Sequence, residues 1–359
     1  MDRAGEAVRT PRPRVAIRDI ATRAGVSAMT VSRVLNGHPD VAPATRDDVL
    51  RHARALGYSP NRGARALANR RTGLIGLTVP YIRGEGDYFA EIVAGAADAL
   101  YERDARLVVC PTRHEHDREV SLLDHLMHGT TDGTLLVTPS ESAAELTLLR
   151  AQGYPFTVID PTIPLGDDIA VVTATNVAGA RAATEHLIAL GHQRIAAITG
   201  PRGGSASADR LAGYHAALVA AGLAVVPALA VEADFTVRGG EDAAHRLLTL
   251  PETPTAVFAL NDNMAIGAVR AAQSRGLDVP ADLSVVGFDD VEAAMLVTPA
   301  LTTIRQPLQE MGRVAVGLLY RELEGRPLDA SRLEVSTRLV VRASTAIPPY
   351  PNRPRKGVE

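Results

Sequence analysis

Val15-Ala-Ile-Arg-Asp-Ile-Ala-Thr-Arg-Ala-Gly-Val-Ser-Ala-Met-Thr-Val-Ser-Arg-Val-Leu-Asn-Gly37 holds two short helical patterns separated by a break. Ile17, Ile20, Ala21 and Ala24 recur at helical spacing, and Gly25 ends the run. Ser27 is a good N-cap for a second helix, Ala28 to Leu35, which Asn36-Gly37 closes. At about 100° per residue, Val31, Val34 and Leu35 share one face, and Met29, Ser32, Arg33 and Asn36 fall on the other. One face can pack on a neighbour while small polar groups and one Arg point outward. A third helix is predicted from Pro43, a favoured first-turn residue, to Gly57. A generic helical hairpin is the plain reading. A DNA-reading hairpin is the functional one, because an Arg can bridge the two major-groove acceptors of guanine or bind phosphate.

Charge separates these readings. The chain has 359 residues and a formal charge of −3. Residues 1–71 hold 14 Arg against six Asp and Glu, a net of +8, so the remainder carries −11. A basic head on an acidic body suggests that the head alone meets a polyanion. No apolar run is long enough to span a bilayer, and Met1 to Arg14 lacks the apolar core of a secretory signal. The single cysteine, Cys110, excludes an internal disulfide framework and a multi-thiolate metal site. These features predict a cytoplasmic protein with no cofactor.

The quoted stretch, with Thr45-Arg46 and Leu56-Gly-Tyr-Ser-Pro-Asn-Arg62, closely resembles the headpiece of LacI/GalR-family transcription regulators. The resemblance runs from about residue 15 to 345. It implies a basic arm (1–14), a helix-turn-helix headpiece (15–60), a hinge (61–72), an effector-binding and dimerisation domain (73–345) and a disordered tail (346–359). It further implies that Ser27, Ala28, Met29, Thr30, Ser32, Arg33 and Asn36 approach DNA. Arg62, Ala64 and Leu67 would act from the hinge, with Leu67 as an apolar wedge in the minor groove. Asn61 to Asn69 is too short for an isolated helix in water and should order only on pairing with a second copy. Ala16 and Ala42 stand where the family usually has Thr or Ser caps, and each lost cap costs roughly 1 kcal/mol.

From Gly73 onward, short apolar runs alternate with helical stretches. Strands are predicted at Leu74–Val79, Leu107–Cys110, Thr134–Val137, Phe156–Ile159, Ile195–Thr199, Ala256–Ala259 and Ser284–Phe288. This pattern gives an α/β class with parallel sheets covered on both faces. About 270 residues exceed one such sheet, so two lobes are expected, approximately 73–173 with 306–332 and 174–305 with 333–345. Ligands of open α/β sheets sit beyond the carboxyl ends of strands, where Asp160, Asn261-Asp262 and Asp289-Asp290 occur. The family resemblance, to a two-lobed periplasmic-binding-protein-like body, assigns Tyr88, Phe89, Asp160, Arg210, Asn261 and Asp289 to an effector cleft. Plain alternatives stand beside it: Asn261 and Asp289 as helix caps, and Tyr88 as core.

Gly200-Pro-Arg-Gly-Gly-Ser-Ala-Ser207 lacks the Lys and spacing of a P-loop. Gly203-Gly204 leaves room instead, with Ser205 and Ser207 as hydroxyl partners, which favours a roomy cleft. His114-Glu115-His116 with His125 and His128 does not match metal-site spacing, and no acid–base pair or nucleophilic triad emerges. The expectation is a homodimeric repressor, not an enzyme, that binds double-stranded operator DNA and responds to a mono- or oligosaccharide. A purine-like corepressor and a cytosolic sugar-binding or sugar-processing protein are the alternatives.

Overall fold

The computed structural model describes residues 15–35, 38–58, 71–80, 86–112 and 130–349. The chain divides into two compact units, Met1–Thr72 and Gly73–Glu359. The expected arm (1–14), most of the hinge (61–70) and the end of the tail (350–359) lie outside the described residues.

In the first unit α1 (Ile17–Ala24), α2 (Ala28–Leu35) and α3 (Pro43–Ala55) enclose Ile20, Ala21, Val31, Val34, Val49 and Ala53. Gly25 ends α1 with φ +65°, a conformation that costs little without a Cβ. Ser27 caps α2: its Oγ accepts from Thr30 N–H at 3.0 Å. Ala16 and Ala42 provide no side-chain cap. For α1 only the reciprocal half of a capping box remains, with Asp19 Oδ2 accepting from the Ala16 N–H at 2.7 Å.

The second unit contains two sheets that are each six-stranded among the described residues. The first is ordered β11-β5-β4-β3-β1-β2 and the second β12-β10-β9-β8-β6-β7. The first sheet comprises β1 (Leu74–Pro80), β2 (Arg106–Thr112), β3 (Gly133–Val137), β4 (Phe156–Ile159), β5 (Ala170–Ala174) and β11 (Arg332–Val335), all parallel. The second comprises β6 (Ile195–Thr199), β7 (Ala230–Glu232), β8 (Ala256–Ala259), β9 (Ser284–Asp289), β10 (Thr302–Arg305) and β12 (Arg338–Val340). Only β12 runs antiparallel there, against β10. The central strands are continuously buried and read as largely apolar runs interrupted by Thr134 and Thr157, as a sheet covered on both faces requires.

Helices α4 (Gly86–Tyr101), α5 (Ala143–Ala151) and α11 (Leu308–Leu323) belong to the first lobe. The second has α6 (Asn176–Ala189), α7 (Ser205–Ala220), α8 (Val237–Leu247), α9 (Asp262–Ser274) and the short α10 (Glu292–Leu296). The chain passes between lobes after β5, after β10 and between β11 and β12. Thr175 and Thr337 tie two of these crossings, with their hydroxyls 2.9 Å apart.

Two boundaries differ from expectation. Leu333–Val335 pairs with β5 in the first sheet, so the last crossing falls at 336–337 and not at 332–333. These strands are short and half-exposed, and the apolar pattern there is weak. The start of the expected disordered tail is also ordered. The Ala346 N–H donates to Ser284 Oγ at 3.0 Å, and His192 Nε2 donates to the Ala346 carbonyl at 2.9 Å.

Candidate functional site

In the second unit the strand ends converge on a cavity of about 460 Å³. Thr138 follows β3, Asp160 follows β4, Phe235 lies beyond β7 and Asp289 ends β9; all four line the cavity. Each also has positive φ: 43°, 47°, 63° and 116°. Non-glycine residues in that region cost of order 1–3 kcal/mol each and persist where the surrounding fold over-determines them. The strain therefore clusters at one place, and that place is the cavity wall.

The floor of the cavity is a chain of hydrogen bonds. The Tyr88 hydroxyl donates to Asp160 Oδ2, and Thr173 Oγ1 donates to Asp160 Oδ1 at 2.7 Å. Asn176 Nδ2 reaches Thr173 Oγ1 at 3.4 Å, and Asn176 Oδ1 accepts from Arg210 Nε at 2.8 Å. Arg210 Nη1 donates to the Leu260 carbonyl and lies 3.4 Å from Asp289 Oδ1, which also accepts from Gln306 Nε2 at 2.6 Å. The guanidinium stacks on Phe288, 3.8 Å from the ring centroid. Each link fixes its neighbour, so carboxylates from both lobes are held ready around the same space.

Burial raises the Asp289 pKa to about 6, against the opposing pull of Arg210. Asp262 lies beneath it with no exposed surface and is also raised, first by burial and then by the Asp289 charge. Its oxygens accept from Thr303 Oγ1 and the Val291 N–H. Tyr88 is raised well above its ordinary value by burial and by Asp160, so its hydroxyl remains a donor. Asp290, next in sequence, turns away from the cavity and pairs with Arg305 and Arg342. Asp289 Oδ2 and Arg210 Nη2 have no protein partner among the described residues, leaving one acceptor and one donor group for a ligand.

The sequence-derived residues divide as follows. Tyr88, Asp160, Ser205, Arg210, Asn261 and Asp289 all line the cavity. Asn261 is also a cap: its Oδ1 accepts from Met264 N–H at 2.9 Å, while Nδ2 donates to the Phe235 carbonyl. Phe89 does not line the cavity. It is 8% exposed and sits in the first lobe's core, edge-on to Tyr88. Adjacent residues on a helix point about 100° apart, so one of two neighbouring rings faces the cavity and the other the core.

Sequence reasoning misses Thr173, Asn176 and Gln306 of the floor and, on the cavity wall, Phe235. Its ring lies over Gly200, where an added Cβ would be 2.0 Å from it. The rule that ligands gather beyond strand ends would have found it had β7, only three residues long, been assigned.

In the first unit, Ser27, Ala28 and Met29 are exposed on the first turn of α2 and its cap, and Met29 is 70% exposed. Thr30 and Ser32 are partly exposed. Arg33 faces outward and pairs with Asp40 at 3.3 Å. Asn36, Arg62, Ala64 and Leu67 lie outside the described residues, as do the histidines at 114, 116, 125 and 128. Among the described residues no cluster of His, Cys, Asp and Glu could hold a metal, and no helix is long and apolar enough to cross a membrane.

Comparison with known proteins agrees with this division. Residues 16–61 match the model for bacterial regulatory proteins of the lacI family, and residues 184–345 match that for a periplasmic binding protein-like domain. The chain is 38% identical over 341 residues to the HTH-type transcriptional regulator CelR of Thermobifida fusca, covering 93% of this chain and 99% of the relative. A solved CelR–cellobiose complex superposes with TM-score 0.72 at 35% identity, covering 92% of this chain and all of that one. A lac repressor dimer bound to operator and the anti-inducer ONPF superposes with TM-score 0.80 at 30% identity, over 93% of this chain and all of that one.

Proposed function

The chain belongs to the LacI family of bacterial regulatory proteins, and from that premise we propose that it is a cytoplasmic, homodimeric repressor released from a pseudo-palindromic operator by a saccharide. The observation that carries the saccharide reading is that Asp289 Oδ2 and Arg210 Nη2, both without a protein partner among the described residues, belong to side chains that line the same cavity as Phe235. A carboxylate and a guanidinium bracket adjacent hydroxyls, and an aromatic ring covers the apolar face of a sugar. The +8 charge of residues 1–71 and the outward face of α2 support the DNA reading. On this reading Ser27, Ala28, Met29, Thr30, Ser32, Arg33 and Asn36 meet the major groove, while Arg62, Ala64 and Leu67 meet the minor groove.

Ligand contacts on both lobes bias their closure, and closure biases the pairing of the two hinges. Coupling of about 1–3 kcal/mol is typical of such linkage. A releasing ligand must bind the DNA-free state more tightly than the bound one. The cavity holds carboxylates engaged by Tyr88, Thr173, Arg210 and Gln306 in fixed donor–acceptor roles. That arrangement suits holding a ligand, and we assign no reaction to it.

Fluorescence anisotropy on a labelled palindrome tests the proposal. Binding should weaken steeply with salt, as phosphate contacts require, and a saccharide should raise the dissociation constant at least tenfold. Salt-independent binding would remove the repressor reading. Tightening of the complex by a purine, with no effect of sugars, would replace release by corepression.

A further inference from the structure

Asp262 opens α9 and is fully buried. Its neighbours Asn261 and Asn263 both line the cavity, but Asp262 does not. The start of a helix favours a carboxylate, yet a solvent-exposed one gains that interaction without losing water. A carboxylate withdrawn from water is retained only where hydrogen bonds hold it.

Its two oxygens are held by different segments. Oδ1 accepts from Thr303 Oγ1, and Oδ2 accepts from the Val291 N–H at 3.0 Å. An added Cβ on Gly287 would lie 2.2 Å from Oδ1. Thr303 and Gly287 are partners in the β9–β10 register. The carboxylate therefore lies across β9 at Gly287, where the missing Cβ makes room. One oxygen reaches β10 and the other reaches the chain that leaves β9.

These contacts bracket Asp289. Gly287 lies two residues before it and Val291 two residues after. Between them Asp289 and Asp290 have φ of 116° and 62°, two consecutive non-glycine residues in the left-handed region. Such backbone persists only where neighbouring groups over-determine it. The turn has a chemical result: Asp289 faces the cavity, whereas Asp290 is drawn aside to Arg305 and Arg342. Strand bonding holds the near side of the turn, through the Gln306 N–H to the Asp289 carbonyl at 3.1 Å. On the far side the Val291 N–H is held by Asp262.

We propose that Asp262 is a positioning residue for ligand binding: from across β9 it holds the Asp289-Asp290 turn and so presents Asp289 Oδ2 to the cavity, a role that rests on the cavity being the ligand site. Asp262 touches no ligand and acts through Asp289. The position requires matched hydrogen bonds and not charge. An amide meets that need, since its oxygen accepts from the Val291 N–H while its NH₂ donates to Thr303 Oγ1, a hydroxyl able to accept.

Two measurements on the full-length protein test this, with thermal melts confirming that each variant is folded. The first is calorimetry with glucose, ribose and cellobiose. For whichever sugar binds, Asp262→Ala should weaken affinity tenfold or more and Asp262→Asn should stay within threefold. The second needs no ligand: carbon-13 titration of carboxyl-labelled protein, with the Asp289 signal identified by its loss in Asp289→Asn. That carboxyl should titrate near its raised value of about 6 in the parent and stay raised in Asp262→Asn. In Asp262→Ala the freed turn lets it reach water, and it should fall to about 4. If Asp262→Ala does not fold, Thr303→Val, which removes one of the two hydrogen bonds, should weaken the sugar about threefold; no loss there overturns the role. An Asp262→Ala variant with unchanged affinity and an unchanged Asp289 titration also overturns it. So does an Asp262→Asn variant that loses as much as Asp262→Ala. Failure of all three sugars to bind overturns the saccharide reading alone, and the Asp289 titration still decides the role of Asp262.

Discussion

The headpiece closes around six buried apolar side chains among its described residues, while each lobe of the body closes around a six-stranded sheet covered by helices. The small core leaves the headpiece marginal, since a short chain buries a smaller fraction of its surface. Two of its three helices also lack a side-chain cap. The body can instead carry costs: buried Asp262 and Asp289 without a full counter-charge, and several non-glycine residues at positive φ. The difference teaches where function resides in each unit. The headpiece needs only an exposed face and a fold that DNA can help to stabilise. The body needs preorganised groups, which only a surplus of burial can hold in place.

The separation is tested most severely by cutting the chain. Removing residues 1–72 should abolish operator binding and leave saccharide affinity within threefold in calorimetry. Asp289→Ala should do the reverse, reducing saccharide affinity at least a hundredfold while operator affinity stays within threefold. Loss of operator binding on Asp289→Ala would mean that the cavity supports the DNA-binding conformation directly.

Matched core truncations sharpen the contrast. Ile20→Ala and Phe288→Ala each delete a fully buried side chain and should each cost about 2–5 kcal/mol. In the headpiece that exceeds what the unit can lose, so Ile20→Ala should eliminate DNA binding with the body's melting transition unchanged. Phe288→Ala should lower the body's transition and also weaken saccharide binding, because Phe288 supports the Arg210 guanidinium. Two transitions shifting together after Ile20→Ala would show that the units unfold as one.

The body alone should also respond to pH through Asp289. Its pKa is raised to about 6, so the folded state holds this proton more tightly than the unfolded chain does. The associated stability is fully present below about pH 4 and is lost as pH rises through 6. Ligand affinity runs oppositely, because Oδ2 accepts a hydroxyl only when ionised. Affinity should fall about tenfold between pH 7.5 and pH 5, where about one carboxylate in ten stays ionised. Asp289→Asn should bind more weakly and lose this slope; a slope that survives belongs to another group.

Much of this contrast was readable from residue order. The charge split, the Val31–Val34–Leu35 face and the apolar runs of the central strands are local patterns, and the structure follows them. The rest depends on partners distant in sequence. Nothing near Asp290 indicates that Arg305 and Arg342 will claim it while Asp289 faces the cavity. β11 and β12 are too short and too exposed to announce themselves, so residue order alone puts the last crossing a few residues early. Phe235 is hidden behind a three-residue strand, and sequence adjacency conceals the helical phase that turns Phe89 to the core while Tyr88 faces the cavity.

The smallest effect bears most directly on why the headpiece is marginal. Ala16 has an extended backbone (φ −104°, ψ 161°), and Ala42 is non-helical at φ −52°, ψ 136°, so a cap side chain fits either position. Ala16→Ser would supply the missing half of a capping box that Asp19 already completes from the other side. Ala42→Ser would cap α3 just ahead of Pro43. Each should stabilise the headpiece by about 1 kcal/mol, seen as a higher denaturant midpoint for headpiece unfolding with the body's midpoint unchanged. Operator affinity should rise only to the extent that DNA-free headpieces are unfolded. An increase in stability without one in affinity would show that the isolated headpiece is already folded, and would assign the ordering step to the hinge.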